Sequence, residues 1–305
     1  MELNFEFKKE RKLGEFVQDF VDLLKIVIRH FCATLFRLAV IPLAILLLLV
    51  FYLTTKVDFN ADFSAGDMMQ IWGLFIGIVC ALLLLSTLFF GIAIEYFILL
   101  KNQNNLDFGS TEVWNNFKSN FAKYFRFFGA SILVMLIMII PFFFVLIIAS
   151  FILFVGNIVA GVLMSLIGVW LFCAFMLYRE GYYSLGSCFS EAYHLLKKKV
   201  YDYGVSSYIV SAIFQVMLMM MTLIPALILG LIAYNTVGFN DNFFDTFSGK
   251  LIVSLGGTIF SLVTITSYMF SVLISGLIYE SAKELRFGEN IYETINNIGK
   301  EANGH

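Results

Sequence analysis

Charged residues are scarce in this sequence. They make up 14% of its 305 residues, whereas a soluble globular domain carries roughly 25%. Residues with hydrophobic side chains make up 60%, and the mean hydropathy is +0.87. A soluble fold of this size would lack the polar surface needed to cover itself. The composition therefore excludes a cytosolic enzyme, a nucleic-acid-binding protein and a disordered chain, and it predicts an all-α polytopic membrane protein.

Histidine and cysteine are also few, with three and four residues respectively. Three histidines cannot supply the imidazoles of a membrane di-iron or four-histidine iron enzyme. The cysteines (Cys32, Cys80, Cys173 and Cys188) contain no Cys-x-x-Cys pair and indicate neither a zinc knuckle nor a disulfide framework. Gly-x-Ser-x-Gly, His-Glu-x-x-His and phosphate-binding glycine motifs are missing from the sequence. We therefore expect no enzymatic activity, no metal and no cofactor.

Six apolar stretches are each long enough to cross a bilayer core of about 30 Å, which takes about 20 helical residues. They lie near residues 33–54, 69–100, 128–153, 158–178, 204–235 and 251–281. The third and fourth form one uncharged run from Phe127 to Tyr178, which we divide at the turn-like dipeptide Gly156–Asn157. The sequence therefore predicts a single membrane domain, residues 1–305, with six transmembrane helices in three hairpins.

Basic residues are distributed very unevenly along the predicted spans. Eighteen of the 20 lysines and arginines lie near the two termini or between spans two and three and spans four and five, and only Lys56 and Lys250 lie on the other side. The segments on that other side carry five aspartates: Asp58, Asp62, Asp67, Asp241 and Asp245. By the positive-inside rule, both termini are predicted to be cytosolic.

A charged segment with helical periodicity precedes each pair of spans, at residues 14–31, 111–127 and 186–200. Spacings of three and four residues place apolar side chains on one face of each segment. These faces are Phe16, Phe20, Leu24, Val27 and Phe31; Trp114, Phe117, Phe121, Tyr124 and Phe128; and Phe189, Ala192, Tyr193, Leu196 and Val200. Basic residues opposite aromatic ones predict amphipathic helices in the cytosolic headgroup layer.

These amphipathic helices either only link and anchor the spans or also dock a partner or a lipid. The candidate docking residues are Trp114, Phe117, Lys123, Arg126, Lys197 and Lys198. The three prolines (Pro42, Pro141 and Pro225) each follow an isoleucine in the first span of a hairpin. Because proline kinks a helix, this pattern suggests three related helix-hairpin units around a common centre.

Two carboxylates lie inside the predicted spans, Glu95 and Glu280, each near a cytosolic end where Lys101, Arg179 or Lys283 could pair with it. Ion pairing is one interpretation, and a proton- or ligand-linked role is the other. The deepest polar residues are Gln215, Ser261, Thr264, Ser271 and Ser275. They either permit close helix packing or, together with the two carboxylates, line a polar groove for a lipid headgroup.

The segment Ser187–Ser211 carries Glu191-Ala192, then Leu195-Leu196-Lys197 and Tyr201 before the fifth span. In this order, and in its alternation of cytosolic helix and hairpin over residues 10–298, the chain resembles a bacterial family of six-span proteins. That family is similar to the membrane domain fused to some glycerophosphodiester phosphodiesterases. The resemblance implies a multi-pass protein of the bacterial inner membrane. It transfers no catalytic residue, because the soluble phosphodiesterase domain has no counterpart here.

The leading hypothesis is a non-enzymatic accessory or scaffold protein of a membrane assembly. It would contact membrane lipids and dock a membrane-protein partner through its cytosolic amphipathic helices, and it would bind no nucleic acid. The alternative is a transporter or lipid-handling protein with a polar groove inside the helix bundle.

Overall fold

The computed structural model describes residue 3 and residues 5–56, 65–152, 155–237 and 246–288. Seven α-helices account for most of these residues, and no strand occurs among them. The helices are α1 (Leu13–Lys56), α2 (Ala65–Gln103), α3 (Ser110–Ser150), α4 (Val155–Arg179), α5 (Cys188–Leu196), α6 (Val200–Val237) and α7 (Phe247–Phe287). Asp58, Asp62, Asp241 and Asp245, predicted to lie outside the membrane, are beyond the described residues.

Within the described residues, four helical segments are long and apolar enough to cross a membrane. They are Ile71–Gln103, Ser110–Ala149, Val155–Arg179 and Val200–Leu223. A fifth is obtained if Leu13–Leu38 and Val40–Leu53, which are bent relative to each other, form one span. The all-α prediction is confirmed for this part of the chain, and the apolar helices indicate a multi-pass membrane protein.

The chain divides into two compact units. Unit 1 comprises Met1–Phe31, Ile94–Ala212 and Phe270–His305, and unit 2 comprises Cys32–Ala93 and Ile213–Met269. In unit 2, many large apolar side chains are exposed, as expected for helices whose solvent is lipid. Unit 1 also exposes large apolar side chains along α3 and at the start of α4, but it has a dense aromatic core as well, and it contains the candidate functional site.

The amphipathic start of α1 packs its apolar face into the core of unit 1. Phe16, Phe20, Val27 and Phe31 are buried, as is Leu23, whereas Leu24 of the predicted face is only half-buried. Phe16 meets Tyr203 edge to face at 5.7 Å between ring centroids, and Phe31 meets Tyr96 at 4.8 Å. Such aromatic pairs add about 0.5–1.5 kcal/mol to the free energy gained from burial. This predicted face therefore serves the unit's own core.

Helix α3 ends at Ser150 and α4 begins at Val155, so the predicted turn dipeptide Gly156–Asn157 lies in the first turn of α4. A β-carbon on Gly156 would lie 1.8 Å from the carbonyl oxygen of Ala149, so only glycine allows the start of α4 to pass the end of α3. Further along the hairpin, Phe175 of α4 contacts Tyr124 and Phe127 of α3 at 4.6 and 5.1 Å between ring centroids. The two helices are thus locked together at both ends of their shared interface.

The second amphipathic segment is not a separate helix. Residues 111–127 form the first half of α3, which continues through Pro141 to Ser150 as one helix of 41 residues. At about 1.5 Å per residue this helix is about 60 Å long, twice the thickness of a bilayer core of about 30 Å. Its charged half and its apolar half therefore share one axis.

The third amphipathic segment is shorter than the predicted range 186–200, since α5 contains only nine residues, Cys188–Leu196. Its buried face consists of Cys188, Ala192, Leu195 and Leu196. Tyr193, assigned to the apolar face from the sequence, is 60% exposed. That assignment is wrong because Leu195, two residues later, takes the inward position.

Candidate functional site: a charged cleft in unit 1

Three apolar helices end in charged residues that meet in unit 1. Helix α2 ends shortly after Lys101, α4 ends at Arg179 followed by Glu180, and α7 carries Glu280 and Lys283 in its last two turns. Basic side chains near the C-terminus of a helix interact favourably with the helix dipole and with the unpaired carbonyl groups. Convergence of three such ends therefore concentrates lysine and arginine, and these cations in turn stabilise buried carboxylates.

Glu95 has no solvent exposure, and each of its oxygens is hydrogen-bonded. Arg179 donates from Nε to Oε1 at 2.9 Å and from Nη2 to Oε2 at 3.0 Å, which is a bidentate pair. The hydroxyl of Tyr124 donates a third hydrogen bond to Oε1 at 2.9 Å. Charge-assisted bidentate pairs are strong and hold both partners in a defined orientation. The carboxylate of Glu95 thereby ties α2, α3 and α4 together.

Lys101 lies between two carboxylates, those of Glu180 and Glu280. Its ammonium group donates to Glu180 and, at 2.5 Å, to Oε1 of Glu280. The hydroxyl of Tyr279 donates to Oε2 of Glu180 at 2.7 Å, and Nζ of Lys283 lies 3.6 Å from that same oxygen. All of these ionic side chains are largely shielded from solvent. The network joins the ends of α2, α4 and α7.

The ammonium groups around Glu180 control its ionisation. Burial raises the pKa of this carboxyl. The nearby charges of Lys101 and Lys283, together with the hydrogen bonds from Lys101 and Tyr279, lower the pKa by more than burial raises it. The net pKa therefore lies below the ordinary value of 4.5. Glu180 is therefore ionised at neutral pH. Burial has the opposite result for the thiol of Cys188, whose pKa it raises to about 11. This cysteine is consequently not a nucleophile at neutral pH.

A cleft of about 360 Å³ opens beside this network. Four cationic side chains line it, those of Lys8, Lys101, Arg179 and Lys283, together with the carboxylates of Glu180 and Glu280. Phe7, Ile98 and Tyr182 form an apolar part of the cleft wall.

The N-terminal segment is held against unit 1 by Arg11, which places Phe7 and Lys8 at the cleft. The Arg11 side chain is fully buried and donates to Asp19 at 2.8 Å and to the carbonyl oxygen of Phe7 at 2.9 Å. The backbone N–H of Arg11 donates to the hydroxyl of Ser281 in α7 at 2.9 Å. Farther back, the N–H of Leu3 donates to the carbonyl of Asn104 at 2.8 Å.

The ion pairs predicted for Glu95 and Glu280 are confirmed, with Arg179 and Lys101 respectively as partners. Lys283, the third predicted partner, instead lies beside Glu180. Sequence reasoning missed Glu180, Lys8 and Arg11. A signal for Glu180 was present, because an acidic residue directly follows Arg179 at the end of an apolar run.

The predicted polar groove is divided between the two units. Gln215 is exposed in unit 2, and the hydroxyls of Ser261 and Thr264 each donate to a carbonyl of their own helix at 2.8 Å. Ser271 and Ser275 belong to unit 1, where Ser275 is buried. These two bonds are the kind that the structural interpretation of Ser261 and Thr264 predicts, and the groove stays a prediction.

The predicted docking residues also separate into two groups. Phe117 is buried in unit 1, and Lys123 is half-buried and donates to the carbonyl oxygen of Arg179 at 3.2 Å. Trp114 is 38% exposed, and Arg126, Lys197 and Lys198 are exposed. Of the aromatic residues predicted on α3, only some therefore remain available at the surface.

A second, exposed aromatic face runs along the first half of α3. It consists of Trp114, Phe121, Phe125 and Phe128, hereafter the aromatic face of α3. Their spacings of seven, four and three residues place them in one line along the helix. Lys118 and Arg126 are exposed beside this line. Sequence reasoning missed Phe125, because the stripe read from the sequence combined buried and exposed positions.

No group of His, Cys, Asp or Glu side chains able to hold a metal ion occurs in the described part of the chain. Comparison of the chain with protein-family models, with curated protein sequences and with solved structures gives no match in any of the three.

Proposed function

We propose that this protein is a non-enzymatic scaffold of a membrane assembly in the bacterial inner membrane, and that it docks a membrane-protein partner through the aromatic face of α3. It crosses the membrane six times in three hairpins, and both termini are cytosolic. The observation that supports the proposal is the continuity of α3, because Trp114, Phe121 and Phe125 of its aromatic face are exposed in the charged half of the helix.

The division of α3 into two halves follows from its charges. All of its charged residues lie between Glu112 and Arg126, and the uncharged remainder, residues 127–150, extends about 36 Å and suffices to cross the bilayer core. Residues 110–126 then project about 25 Å beyond that core. An interfacial helix can shield an apolar face by lying flat on the membrane. The first half of α3 shares its axis with a span, so it stands away from the lipid.

Exposed aromatic side chains in water need a covering surface. Contiguous apolar patches on a folded protein commonly mark interaction sites, and aromatic residues together with arginine contribute most to interface stability. Lys118 and Arg126, beside the aromatic face, favour a partner whose apolar groove is bordered by carboxylates. The opposite side of α3 is fixed by Phe117 and by the bond from Tyr124 to Glu95, so the face is presented on a rigid support.

The topology in this proposal is supported by the distribution of charge. Eighteen of the 20 basic residues lie on the predicted cytosolic side, and the segment Gly249–Ser261 of α7 is a shorter apolar helix belonging to the sixth predicted span. The resemblance to bacterial six-span proteins agrees with the proposed cellular location.

The docking surface is tested by site-specific photo-crosslinking in cells of the source bacterium. A photoreactive phenylalanine analogue at position 125 should give one adduct of defined mass. The double variant Trp114→Ala/Phe121→Ala should reduce this adduct at least tenfold, and Arg126→Glu should reduce it through charge repulsion with the partner.

The matched control uses the other half of the same helix. Phe143 and Phe144 are also exposed but lie in the uncharged part of α3, so Phe143→Ala/Phe144→Ala should leave the adduct at position 125 unchanged. Crosslinking of position 125 to lipid alone would overturn the proposal, as would an adduct that persists in both the double variant and the Arg126→Glu variant.

A further inference from the structure

The exposed side chains along α3 follow a heptad pattern. In the aromatic face, successive residues are seven, four and three positions apart, and the exposed Lys118 divides the step of seven into four and three. The same alternation continues to the exposed residues Ile132 and Met135. Steps of three and four residues are the spacing at which one helix packs along another. The positions of this row, hereafter the seam of α3, are Trp114, Lys118, Phe121, Phe125, Phe128, Ile132 and Met135.

Small residues border the seam on one side. Ala122 and Gly129 are both exposed, and a β-carbon on Gly129 would have no neighbouring atom within 4 Å. Small side chains on a helix surface allow a second helix to approach closely. On the other side of the seam, Phe117 and Tyr124 are buried in unit 1. The seam is therefore held in place by its own unit and is open where a second helix would lie.

A helix packed along the seam follows the axis of α3 toward the lipid, because helices that interlock in steps of three and four cross at only about 20°. Phe128 lies about 21 Å along the helix from Trp114. The last charged residue of α3, Arg126, precedes it by two positions. A helix that covers the whole aromatic face therefore reaches the uncharged half of α3. Ile132 and Met135 extend the seam about 10 Å farther into that half.

Lys118 determines which charge the second helix carries at this level. It is the one charged residue of the seam, and it forms no hydrogen bond or ion pair with the residues that the structure describes. A lysine at a seam position fixes the register of two helices, and an opposite charge on the partner stabilises it. A second copy of this chain does not supply that charge. In a two-fold dimer within one membrane the α3 helices run parallel, so Lys118 would face Lys118.

On the basis of the docking function proposed for the aromatic face of α3, we propose that the partner binds through an α-helix that enters the membrane and carries an apolar heptad seam, and that a carboxylate of this helix pairs with Lys118. The partner is therefore a membrane protein different from this chain. Its apolar side chains fill the spaces between the aromatic rings of α3, and its carboxylate sets the register between the two helices.

Photo-crosslinking at further positions of α3, in cells of the source bacterium, measures how far the partner helix extends. The photoreactive phenylalanine analogue is placed at positions 125 and 132 in the seam and at position 133 as the matched control. Leu133 is 65% exposed and Ile132 only 46%, so unspecific labelling favours position 133. We expect an adduct of the same mass at positions 125 and 132, and none at position 133.

Charge reversal tests the proposed pair. Lys118→Glu should reduce the adduct at position 125 about tenfold, because two carboxylates would then face each other. Ser119→Glu is the matched control, since it adds a negative charge at the adjacent exposed position outside the seam and should leave the adduct unchanged. Lys118→Arg should retain it. Mass spectrometry of the crosslinked peptide identifies the partner helix, and replacement of its carboxylate by lysine should restore the adduct in the Lys118→Glu variant.

Failure of the proposed helix and failure of the docking function give different results. A partner adduct at position 125 without one at position 132 leaves the docking function standing and overturns the membrane-entering helix. Equal adducts at positions 132 and 133 overturn it as well, as does an adduct between two differently tagged copies of this chain. Equal effects of Lys118→Glu and Ser119→Glu overturn the charge pair. Absence of a partner adduct at position 125 contradicts the docking function itself.

Discussion

Glu95 has no contact with solvent, so the free energy of its charge depends on the side chains that bond to it. Arg179→Met leaves this buried carboxylate with only the hydroxyl of Tyr124. Removal of one partner from a buried ion pair costs about 3–5 kcal/mol. We therefore expect a marked fall in the thermal unfolding midpoint of the detergent-purified protein, measured by intrinsic fluorescence.

The double variant Glu95→Leu/Arg179→Met separates a lost charge pair from general damage. It removes both charges, so we expect it to be more stable than Arg179→Met alone. The exposed pair of Lys25 and Asp22, at 3.0 Å, is the control. Lys25→Met should change stability by less than about 0.5 kcal/mol. If Lys25→Met destabilised the protein as much as Arg179→Met, burial of the ion pair would not explain the effect.

Glu180 gives the protein a pH-dependent stability of predictable sign. Its pKa lies below 4.5 in the folded state because Lys101 and Lys283 outweigh the effect of burial. The unfolded chain therefore takes up the proton first as the pH falls. This part of the stability is fully present above pH 4.5 and is lost as the pH decreases through the lowered pKa. The thermal unfolding midpoint should therefore decrease when the pH is lowered below about 4.5.

Glu180→Gln tests this dependence directly. The variant should be less stable than the wild type at pH 7, and the difference should shrink as the pH is lowered below 4.5. The exposed Glu112 provides a comparison residue, and Glu112→Gln should follow the wild-type curve. A constant difference between Glu180→Gln and the wild type at all pH values would show that the carboxyl does not contribute in this way.

At the scale of the helices, the α3–α4 hairpin depends on one glycine. Gly156→Ala would place a methyl group 1.8 Å from the carbonyl oxygen of Ala149, so the helices would have to separate. We expect a clear loss of thermal stability. In the same helix, a methyl group on Gly168 would have no neighbouring atom within 4 Å, and Gly168→Ala should be neutral or stabilising by up to about 1 kcal/mol. Equal effects of the two variants would refute the role of Gly156.

The limits of sequence reasoning are visible in α3. Periodicity predicted a helix with an apolar stripe through Trp114, Phe117 and Phe121, and the helix is present. A period of 3.6 residues cannot identify which neighbouring helix covers which part of a wide stripe. Phe117 faces Tyr124 and the core, whereas Phe121 is exposed. Likewise, Lys101 and Glu180 are 79 residues apart, and their contact depends on how three helix ends converge.

At the scale of the whole molecule, the two units differ in charge. Of the 20 basic residues, only Arg37, Lys56 and Lys250 belong to unit 2, which leaves 17 in unit 1. A charge costs at least about 2.5 kcal/mol at the bilayer centre. Unit 2 is therefore poor in basic residues, whereas unit 1 combines most of them with two segments, Ser110–Ala149 and Val155–Arg179, that are long and apolar enough to cross a membrane. This division agrees with the composition-based prediction of a membrane protein.

The six-span topology predicts which positions a reagent can reach. On a background without the four native cysteines, we expect Asp62→Cys and Asn242→Cys to react with a membrane-impermeant maleimide in spheroplasts. Lys118→Cys should react only after permeabilisation, because translocation of the basic segments across the membrane is disfavoured. Labelling of position 118 in sealed spheroplasts would show that this segment lies outside the cell and would contradict the proposed orientation. Labelling of position 62 but not 242 would require an odd number of spans between them and so exclude three complete hairpins.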